Sequence, residues 1–266
     1  MQIDPYVLYE RVRLQKPVVH HLTNWVTIFD CAQIVKTLGG SPVMAHAPEE
    51  VADMAQIASA LVLNIGTLTL DFVSSMKKAA SAANKKGIPV VLDVCGAGAT
   101  GLRDTVCAEL LRDVRIDIIK GNVSEIARVA GEKVKTKGVD AADVSSDLSC
   151  CAASLARKHK ATVVVTGAID HITDGKRVFR VSNGHIMMTH VVGTGCMASS
   201  VIATFAAVEK DLAVAAASAL CIYEIAAECA ARAAKGPADF KEKLFDHLFC
   251  LDQRTVKRLQ KVSCVA

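Results

Sequence analysis

Short apolar runs alternate with segments of helical spacing along most of the chain. The runs are "PVVHHLT" from residue 17, "SPVMA" from 41, "ALVLNIG" from 60, "IPVVLDV" from 88, "IDIIKG" from 116 and "ATVVVTG" from 161. Strands that are apolar on both faces and are separated by helices are typical of parallel sheets covered by helices. The pattern therefore predicts an α/β protein with a mostly parallel central sheet flanked by helices.

The last third of the chain departs from this alternation. The stretch "HITDGKRVFRVSNG" holds two short alternating segments and the turn pairs Asp174-Gly175 and Asn183-Gly184, which predict an antiparallel hairpin. Three helices without intervening strands should follow, from Gly195 to about 208, from 211 to about 234, and after Gly236-Pro237. Because no Pro/Gly/Ser-rich linker interrupts the chain, we expect a single domain over residues 1–266.

Composition and charge narrow the classes of partner. A chain of 266 residues that is 52% hydrophobic can bury a substantial core. The net charge of +4 is modest, and the basic residues are not interleaved with aromatic ones, so nucleic acid is not an expected partner.

The longest apolar stretch and the cysteines bear on where in the cell the protein is expected. "DLAVAAASALCIYEIAAECAA", from Asp211, is interrupted by Glu224 and suits a buried helix better than a membrane span. The N-terminal segment has no apolar core of the kind found in secretory signals. Ten cysteines occur without a CxxC pair, and most fall in apolar segments, so we expect reduced thiols in a cytoplasmic protein that does not enter a membrane.

A binding site is predicted at one edge of the sheet. In open parallel sheets, ligands bind beyond the carboxyl ends of the strands. Polar or small residues follow the apolar runs at those ends, namely Met44, Asn64, Gly66, Asp93, Lys120, Asn122, Glu125, Thr166 and Gly167.

A glycine-rich motif follows the fourth run. Gly96, Gly98 and Gly101 match the spacing of the dinucleotide fingerprint, which normally follows the first strand of a domain and opens a helix. Here the motif comes late, and its helix is expected only near Leu102 to Arg103. We therefore favour a flexible active-site loop over an NAD site.

Two carboxylates are candidates for a metal site. Asp93 and Glu125 both follow buried strands and could approach one another across adjacent strand ends. Such carboxylates hold Mg²⁺, which usually accompanies substrate phosphates. The alternative is structural, with Asp93 capping a turn and Glu125 on the solvated face of a helix starting near Asn122.

The stretch "HVVGTGCMASS" predicts an anion site. Gly193, Thr194 and Gly195 precede a helix, where backbone N–H groups are unpaired and the helix dipole is positive, which suits phosphate. Cys196 in the first turn could be a nucleophile, a metal ligand or a small packed residue. As a nucleophile it would need a base, and the sequence does not place His185 or His190 against it.

Seven stretches together resemble one family. "VHHLTNWVT", "GGSPVMAHAPEE", "LVLNIGTL", "VVLDVCGAGAT", "IIKGNVSEI", "VVVTGAIDHITDG" and "VGTGCM" occur in the order and spacing of the hydroxyethylthiazole kinase family of the ribokinase-like superfamily. The resemblance implies a ribokinase-like three-layer sandwich. It also implies ATP- and Mg²⁺-dependent phosphorylation of the primary hydroxyl of 4-methyl-5-(2-hydroxyethyl)thiazole in thiamine salvage. The implied assembly is a homotrimer with the thiazole site at the subunit interface.

The resemblance also implies roles for single residues. The sugar kinases of the superfamily carry an Asp base where this chain has Cys196, so the implied mechanism is direct transfer over a Gly-Thr-Gly-Cys anion hole. The roles by class are Asn24, Met44 and Gly193 for the thiazole, Lys120 and Thr166 for ATP, Asp93 and Glu125 for Mg²⁺, and Thr194, Gly195 and Cys196 for catalysis.

This chain departs from the family pattern at four positions. Lys120 stands where the family has Arg, Val94 stands where a Pro usually follows the Asp, and Phe29 and Gln33 stand where Asn is expected. Three other functions stay open. They are a kinase for hydroxymethylpyrimidine, a silent nucleotide-binding protein, and a cysteine-dependent hydrolase or acyltransferase.

Overall fold

The computed structural model describes residues 3–131 and 141–265. Its strands are β1 Val18–Leu22, β2 Ser41–Val43, β3 Ala60–Asn64, β4 Val90–Asp93, β5 Ile118–Asn122, β6 Thr162–Thr166, β7 Asp170–Thr173, β8 Val178–Val181 and β9 Val262–Val265. Its α-helices are α1 Pro5–Gln15, α2 Ile28–Leu38, α3 Val51–Ile57, α4 Leu70–Lys86, α5 Gly101–Asp113, α6 Val123–Val129, α7 Ala141–His159, α8 Thr194–Ala206, α9 Leu212–Ala233, α10 Pro237–Phe249 and α11 Gln253–Leu259.

The strands form one sheet in the order β2-β1-β3-β4-β5-β6-β7-β8-β9. The pairings from β2 across to β6 are parallel, and those from β6 to β9 are antiparallel. The six predicted strands and the hairpin are confirmed. Strand β9 was missed because it has only four residues, two half-buried and two exposed, and so lacks the continuous apolar run of the central strands.

Helices cover both faces of the sheet. One core cluster joins the sheet to α1, α2, α8, α9 and α10, and a second joins it to α3, α4, α5, α6 and α7. The predicted three-layer α/β architecture is therefore confirmed. The expected single domain over 1–266 stays a prediction, since residues 1–2, 132–140 and 266 lie outside the described part.

Helix α9 is the central helix of one layer. By length and composition it could cross a membrane, but 83% of its most apolar window is buried inside the protein. Asp211 caps its start by accepting a hydrogen bond from the Val214 N–H, and the same carboxylate pairs with Arg177 at 2.7 Å. The helix is a core element, as the interrupting Glu224 indicated.

Candidate active site at the carboxyl ends of the central strands

A buried ion pair joins two neighbouring strands to a helix. Asp93 ends β4 and lies in register with Lys120 of β5. The Lys120 Nζ donates to Asp93 Oδ2 at 3.3 Å and to the Gly195 carbonyl at 2.9 Å. Burial is the largest single effect and lowers the pKa of Lys120, but the charges of Asp93, Cys196 and Glu125 together outweigh it and leave the pKa raised. The ammonium therefore stays charged beneath the first turn of α8.

Two hydroxyls fix α8 to the sheet. Ser199 Oγ donates to Asp93 Oδ2 at 2.7 Å, and Ser200 Oγ lies 3.0 Å from His21 Nε2. The other Asp93 oxygen, Oδ1, is buried and has no partner among the described residues. Asp93 is therefore a buried carboxylate with spare acceptor capacity, and the idea that it only caps a turn does not account for it.

The turn from Gly193 to Cys196 exposes backbone donors. Gly193 has φ +94°, and a Cβ there would lie 2.6 Å from Thr27 Cγ2, so any side chain would clash. The first hydrogen bond of α8 runs from the Met197 N–H to the Gly193 carbonyl at 2.8 Å. The N–H groups of residues 194 to 196 precede that bond and lie at the positive end of the helix dipole. This arrangement suits an anion.

The side chain of Cys196 lies among hydrogen-bond donors. Asn24 Nδ2 is 3.2 Å and Asn64 Nδ2 is 3.4 Å from its sulfur. A hydrogen bond from the Cys95 thiol is the largest effect that lowers the pKa of Cys196; burial opposes it, and Lys120 adds to the lowering. The environment of Cys196 thus favours negative charge. His185 accepts a hydrogen bond from the Met187 N–H, and no contact among the described residues places it beside Cys196 as a base.

Glu125 holds local structure at the edge of this site. Its Oε2 accepts the Asn122 N–H at 2.8 Å in a capping box that starts α6, and its Oε1 accepts the Gly96 N–H at 2.7 Å. The Gly98 N–H donates to Asp104 Oδ1 at 2.8 Å. Because carboxylates occupy these two loop donors, the glycine loop is poorly suited to a dinucleotide pyrophosphate.

A cavity of about 590 Å³ opens beside the turn from Gly193 to Cys196. Thr166 lies on its wall with Thr194 and Gly195. Asn24 contacts Cys196 and is not among the residues that line this cavity. Met44 follows the edge strand β2, and its carbonyl is 3.3 Å from His46 Nδ1. Thr166 is therefore a cavity residue, whereas Asn24 meets the turn through Cys196.

Sequence reasoning missed several residues that position the site. Arg103 donates to the carbonyls of Ile65 at 2.6 Å, Gly66 at 2.7 Å and Cys95 at 2.9 Å, so it ties the loops after β3 and β4 together. Tyr223 donates through its hydroxyl to the Thr194 carbonyl at 3.1 Å. Neither residue follows a predicted strand, so the strand-end rule could not find them.

Comparisons with known proteins agree on one family. The sequence model of the hydroxyethylthiazole kinase family matches residues 9–254. A hydroxyethylthiazole kinase of Methanosarcina mazei is 53% identical over 94% of this chain and 96% of the relative. The solved hydroxyethylthiazole kinase structure from Pyrococcus horikoshii superposes with a TM-score of 0.91 at 40% identity, over 98% of this chain and 99% of that one. A ribokinase-like superfamily protein of Enterococcus faecalis shares the fold alone, with a TM-score of 0.62 at 12% identity over 90% of this chain and 88% of that one.

A pair of carboxyl groups lies on the cavity wall. Asp170 and Glu224 are 2% and 6% exposed, and Asp170 Oδ1 accepts the Gly167 N–H at 2.9 Å. Burial and the charge of Asp170 raise the pKa of Glu224 to about 11. Glu224 is therefore protonated at neutral pH, which limits the negative charge on this wall of the cavity.

The carboxyl pair predicts a pH dependence of stability. Between the unfolded pKa of 4.5 and the folded value of about 11, the folded chain binds more protons at Glu224 than the unfolded chain, so stability falls as pH rises. Glu224→Gln keeps a donor toward Asp170 and removes this titration. From about pH 6 to pH 9, the free energy of unfolding measured in urea should fall more steeply for the wild type than for Glu224→Gln. The difference in slope should be at most about 1.4 kcal/mol per pH unit. The matched control is Glu242→Gln on the exposed face of α10, which should keep the wild-type slope. Equal slopes in wild type and Glu224→Gln would contradict the protonated assignment.

Proposed function

Because the chain belongs to the hydroxyethylthiazole kinase family, we propose that it transfers the γ-phosphate of ATP to the primary hydroxyl of 4-methyl-5-(2-hydroxyethyl)thiazole in thiamine salvage. The observation that carries the proposal is the buried Lys120 ammonium, hydrogen-bonded to the Gly195 carbonyl at 2.9 Å beneath the free amides of the turn. Phosphoryl transfer depends mainly on positioning and on charge neutralisation, and this geometry supports both.

The phosphate side of the reaction uses the turn and the cavity. The amides of residues 194 to 196 can receive the transferred phosphoryl group as its charge spreads over three oxygens. Thr166 lies on the wall of the same 590 Å³ cavity, a volume suited to a nucleotide. We assign the cavity to ATP, and we propose that the positive charge of Lys120 stabilises the negative charge of the phosphates.

We place the acceptor alcohol beside Asn24 and Cys196, away from the residues that line the cavity. Asn24 contacts Cys196, and Gly193 packs against Thr27, which hydrogen-bonds Asn24 Oδ1 at 3.0 Å. We assign Asn24, Met44 and Gly193 to the thiazole. An alcohol placed there would have its oxygen near the Cys196 sulfur, where the hydroxyl proton can be accepted during direct transfer.

The acidic residues fit Mg²⁺ that arrives with the nucleotide. Mg²⁺ in kinases keeps several waters and takes few protein carboxylates, and its role is to neutralise charge on the phosphates. Asp93 Oδ1 has no other partner among the described residues, whereas each Glu125 oxygen already accepts a backbone N–H. Asp93 would hold the hydrated ion, and Glu125 would shape the loop around it. No group of three or more His, Cys, Asp or Glu side chains forms a metal site in the described part of the chain.

An exposed apolar patch supports assembly. Trp25, Val26 and Phe29 are 47%, 67% and 74% exposed, and all three lie within five residues after Asn24 of the proposed thiazole region. We propose that a homotrimer covers this patch and completes the thiazole site at the subunit interface. Sedimentation equilibrium should then give three times the chain mass of 28.2 kDa, and a monomer would contradict the proposal.

We also assign the enzyme to the cytoplasm. Cys31, Cys95, Cys107, Cys196 and Cys221 all carry free thiols, which suits a reducing compartment.

The proposed substrate is tested by a panel of alcohols. ATP consumption with Mg²⁺ should be fastest with the hydroxyethylthiazole, slower with hydroxymethylpyrimidine, and absent with sugars. Removal of Mg²⁺ by a chelator should abolish turnover. A preference for hydroxymethylpyrimidine would replace the thiazole assignment, and ATP binding without turnover of any alcohol would indicate a silent nucleotide-binding protein.

A variant of Asp93 tests whether this turnover takes place at the proposed site. Asp93→Asn should lower kcat by more than about tenfold, which equals about 1.4 kcal/mol of transition-state stabilisation. Because the substitution leaves the Lys120 charge buried without its partner, thermal melting must first show that the variant folds. A folded Asp93→Asn protein with full activity would remove Asp93 from the metal site.

Variants of Cys196 separate direct transfer from covalent catalysis. Cys196→Ala leaves the backbone donors in place and should keep measurable activity, whereas a covalent nucleophile would make it inactive. Cys196→Asp places a carboxylate near two amide donors and a helix N-terminus, so its kcat should equal or exceed that of the parent. A phosphorylated or acylated Cys196 trapped by mass spectrometry would overturn direct transfer.

A further inference from the structure

Two asparagine side chains are oriented toward Cys196 by backbone donors. Asn24 Oδ1 accepts the Thr27 N–H at 3.1 Å. Asn64 Oδ1 accepts the Gly66 N–H at 2.9 Å. Because a backbone N–H can only donate, each side-chain amide must turn its oxygen toward that N–H and its Nδ2 group away from it. The two Nδ2 groups therefore face the Cys196 sulfur, at 3.2 Å and 3.4 Å.

The peptide of Gly66 packs directly against both asparagines. A Cβ at Gly66 would lie 2.9 Å from Asn64 Oδ1 and 3.1 Å from Asn24 Cβ, so only glycine allows this close approach. Asn24 Nδ2 also donates to Asn64 Oδ1 at 3.1 Å. The two side chains belong to residues that are 4% and 1% exposed, so water cannot replace these contacts. The position of the Gly66 peptide therefore sets the direction of the Asn64 amide.

Arg103, in the first turn of α5, holds that peptide. Its Nη2 donates to the Gly66 carbonyl at 2.7 Å, and its Nη1 donates to the carbonyls of Ile65 at 2.6 Å and Cys95 at 2.9 Å. A planar guanidinium makes these three bonds in one fixed geometry, which a lysine ammonium could not reproduce. Among the described residues, the hydrogen bonds of Arg103 all go to backbone carbonyls, and none of those residues lines the cavity assigned to ATP.

From these contacts we propose that Arg103 is a positioning residue for phosphoryl transfer. Arg103 fixes the Gly66 peptide, the Gly66 N–H fixes the Asn64 amide, and the Asn64 Nδ2 group stabilises negative charge at Cys196 as the alcohol loses its proton. The inference rests on the proposed function, because it uses Cys196 as the group that accepts this proton. It adds a residue that touches neither substrate and acts through a backbone peptide.

The first experiment measures how substitutions of Arg103 divide between kcat and KM. Arg103→Met removes the guanidinium, and its kcat with the thiazole alcohol should fall at least about tenfold. The KM for ATP should stay within about threefold of the wild-type value, because the contacts of Arg103 lie outside the ATP cavity. Arg103→Lys keeps the charge without the planar fork and should recover only part of the lost kcat. Arg112→Met, on the same helix at a side chain that is 70% exposed, is the matched control and should keep the wild-type kcat.

A double-mutant cycle tests whether Arg103 acts through Asn64. Asn64→Ala removes the donor to Cys196 and should itself lower kcat at least about tenfold. In the Asn64→Ala background, Arg103→Met should then lower kcat by no more than about twofold, because the group that it positions is already absent. If the two losses instead multiply, Arg103 does not act through Asn64 and the proposal is wrong.

Hydrogen exchange tests the same contacts without turnover. In Arg103→Met, once thermal melting shows that the variant folds, the backbone of residues 64–67 should exchange at least about tenfold faster than in the wild type. The reason is that the Gly66 peptide is no longer held against its acceptor. Arg112→Met should keep the wild-type exchange, and Arg103→Lys is carried through every measurement in case Arg103→Met does not fold.

Unchanged exchange of residues 64–67 in the Arg103 variants would overturn the positioning role whether or not the enzyme phosphorylates the thiazole. Absence of thiazole phosphorylation by the wild-type protein would instead overturn the proposed function. The two proposals can therefore fail separately.

Discussion

The site depends on one buried ammonium. Lys120 extends from β5, pairs with Asp93 of β4 at 3.3 Å, and donates to the Gly195 carbonyl of α8 at 2.9 Å. A buried ion pair costs desolvation energy, so its value lies in positioning more than in stability. The contact fixes where the helix begins relative to the strand ends. Every group assigned to phosphate lies within that arrangement.

Charge near the turn is balanced on both sides. The helix N-terminus and Lys120 favour an anion, whereas Asp93, Asp170 and Glu224 are acidic groups close to the same space. The raised pKa of Glu224, caused by burial and by Asp170, removes one negative charge. Asp93 is neutralised by Lys120 and by the Ser199 hydroxyl. Both effects reduce the negative charge that a phosphate would meet at the turn.

The sequence predicted the fold well because the central strands are buried on both faces. Such strands are continuous apolar runs, and the residues after them identify the ligand-binding edge of the sheet without coordinates. Asp93 and Lys120 were predicted in this way, and the turn before α8 was predicted from the glycines that precede a helix. The pairing of Lys120 with the Gly195 carbonyl was not, because it joins residues far apart in sequence. Glu125 was predicted from its place after β5, but a sequence pattern cannot show that its oxygens accept the N–H groups of Gly96 and Asn122, and its role toward Mg²⁺ stays a prediction.

The surroundings of position 196 matter more than the side chain that occupies it. Two amide donors, a helix N-terminus and the Lys120 ammonium all stabilise negative charge there, and each belongs to a residue other than 196. A thiol placed among such groups loses its proton more readily than in water, and a carboxylate would be stabilised by the same contacts. The contacts that favour a proton acceptor at position 196 are thus made by Asn24, Asn64 and the start of α8. Under the proposed direct transfer, the same contacts would therefore support either an acidic oxygen or a sulfur at this position.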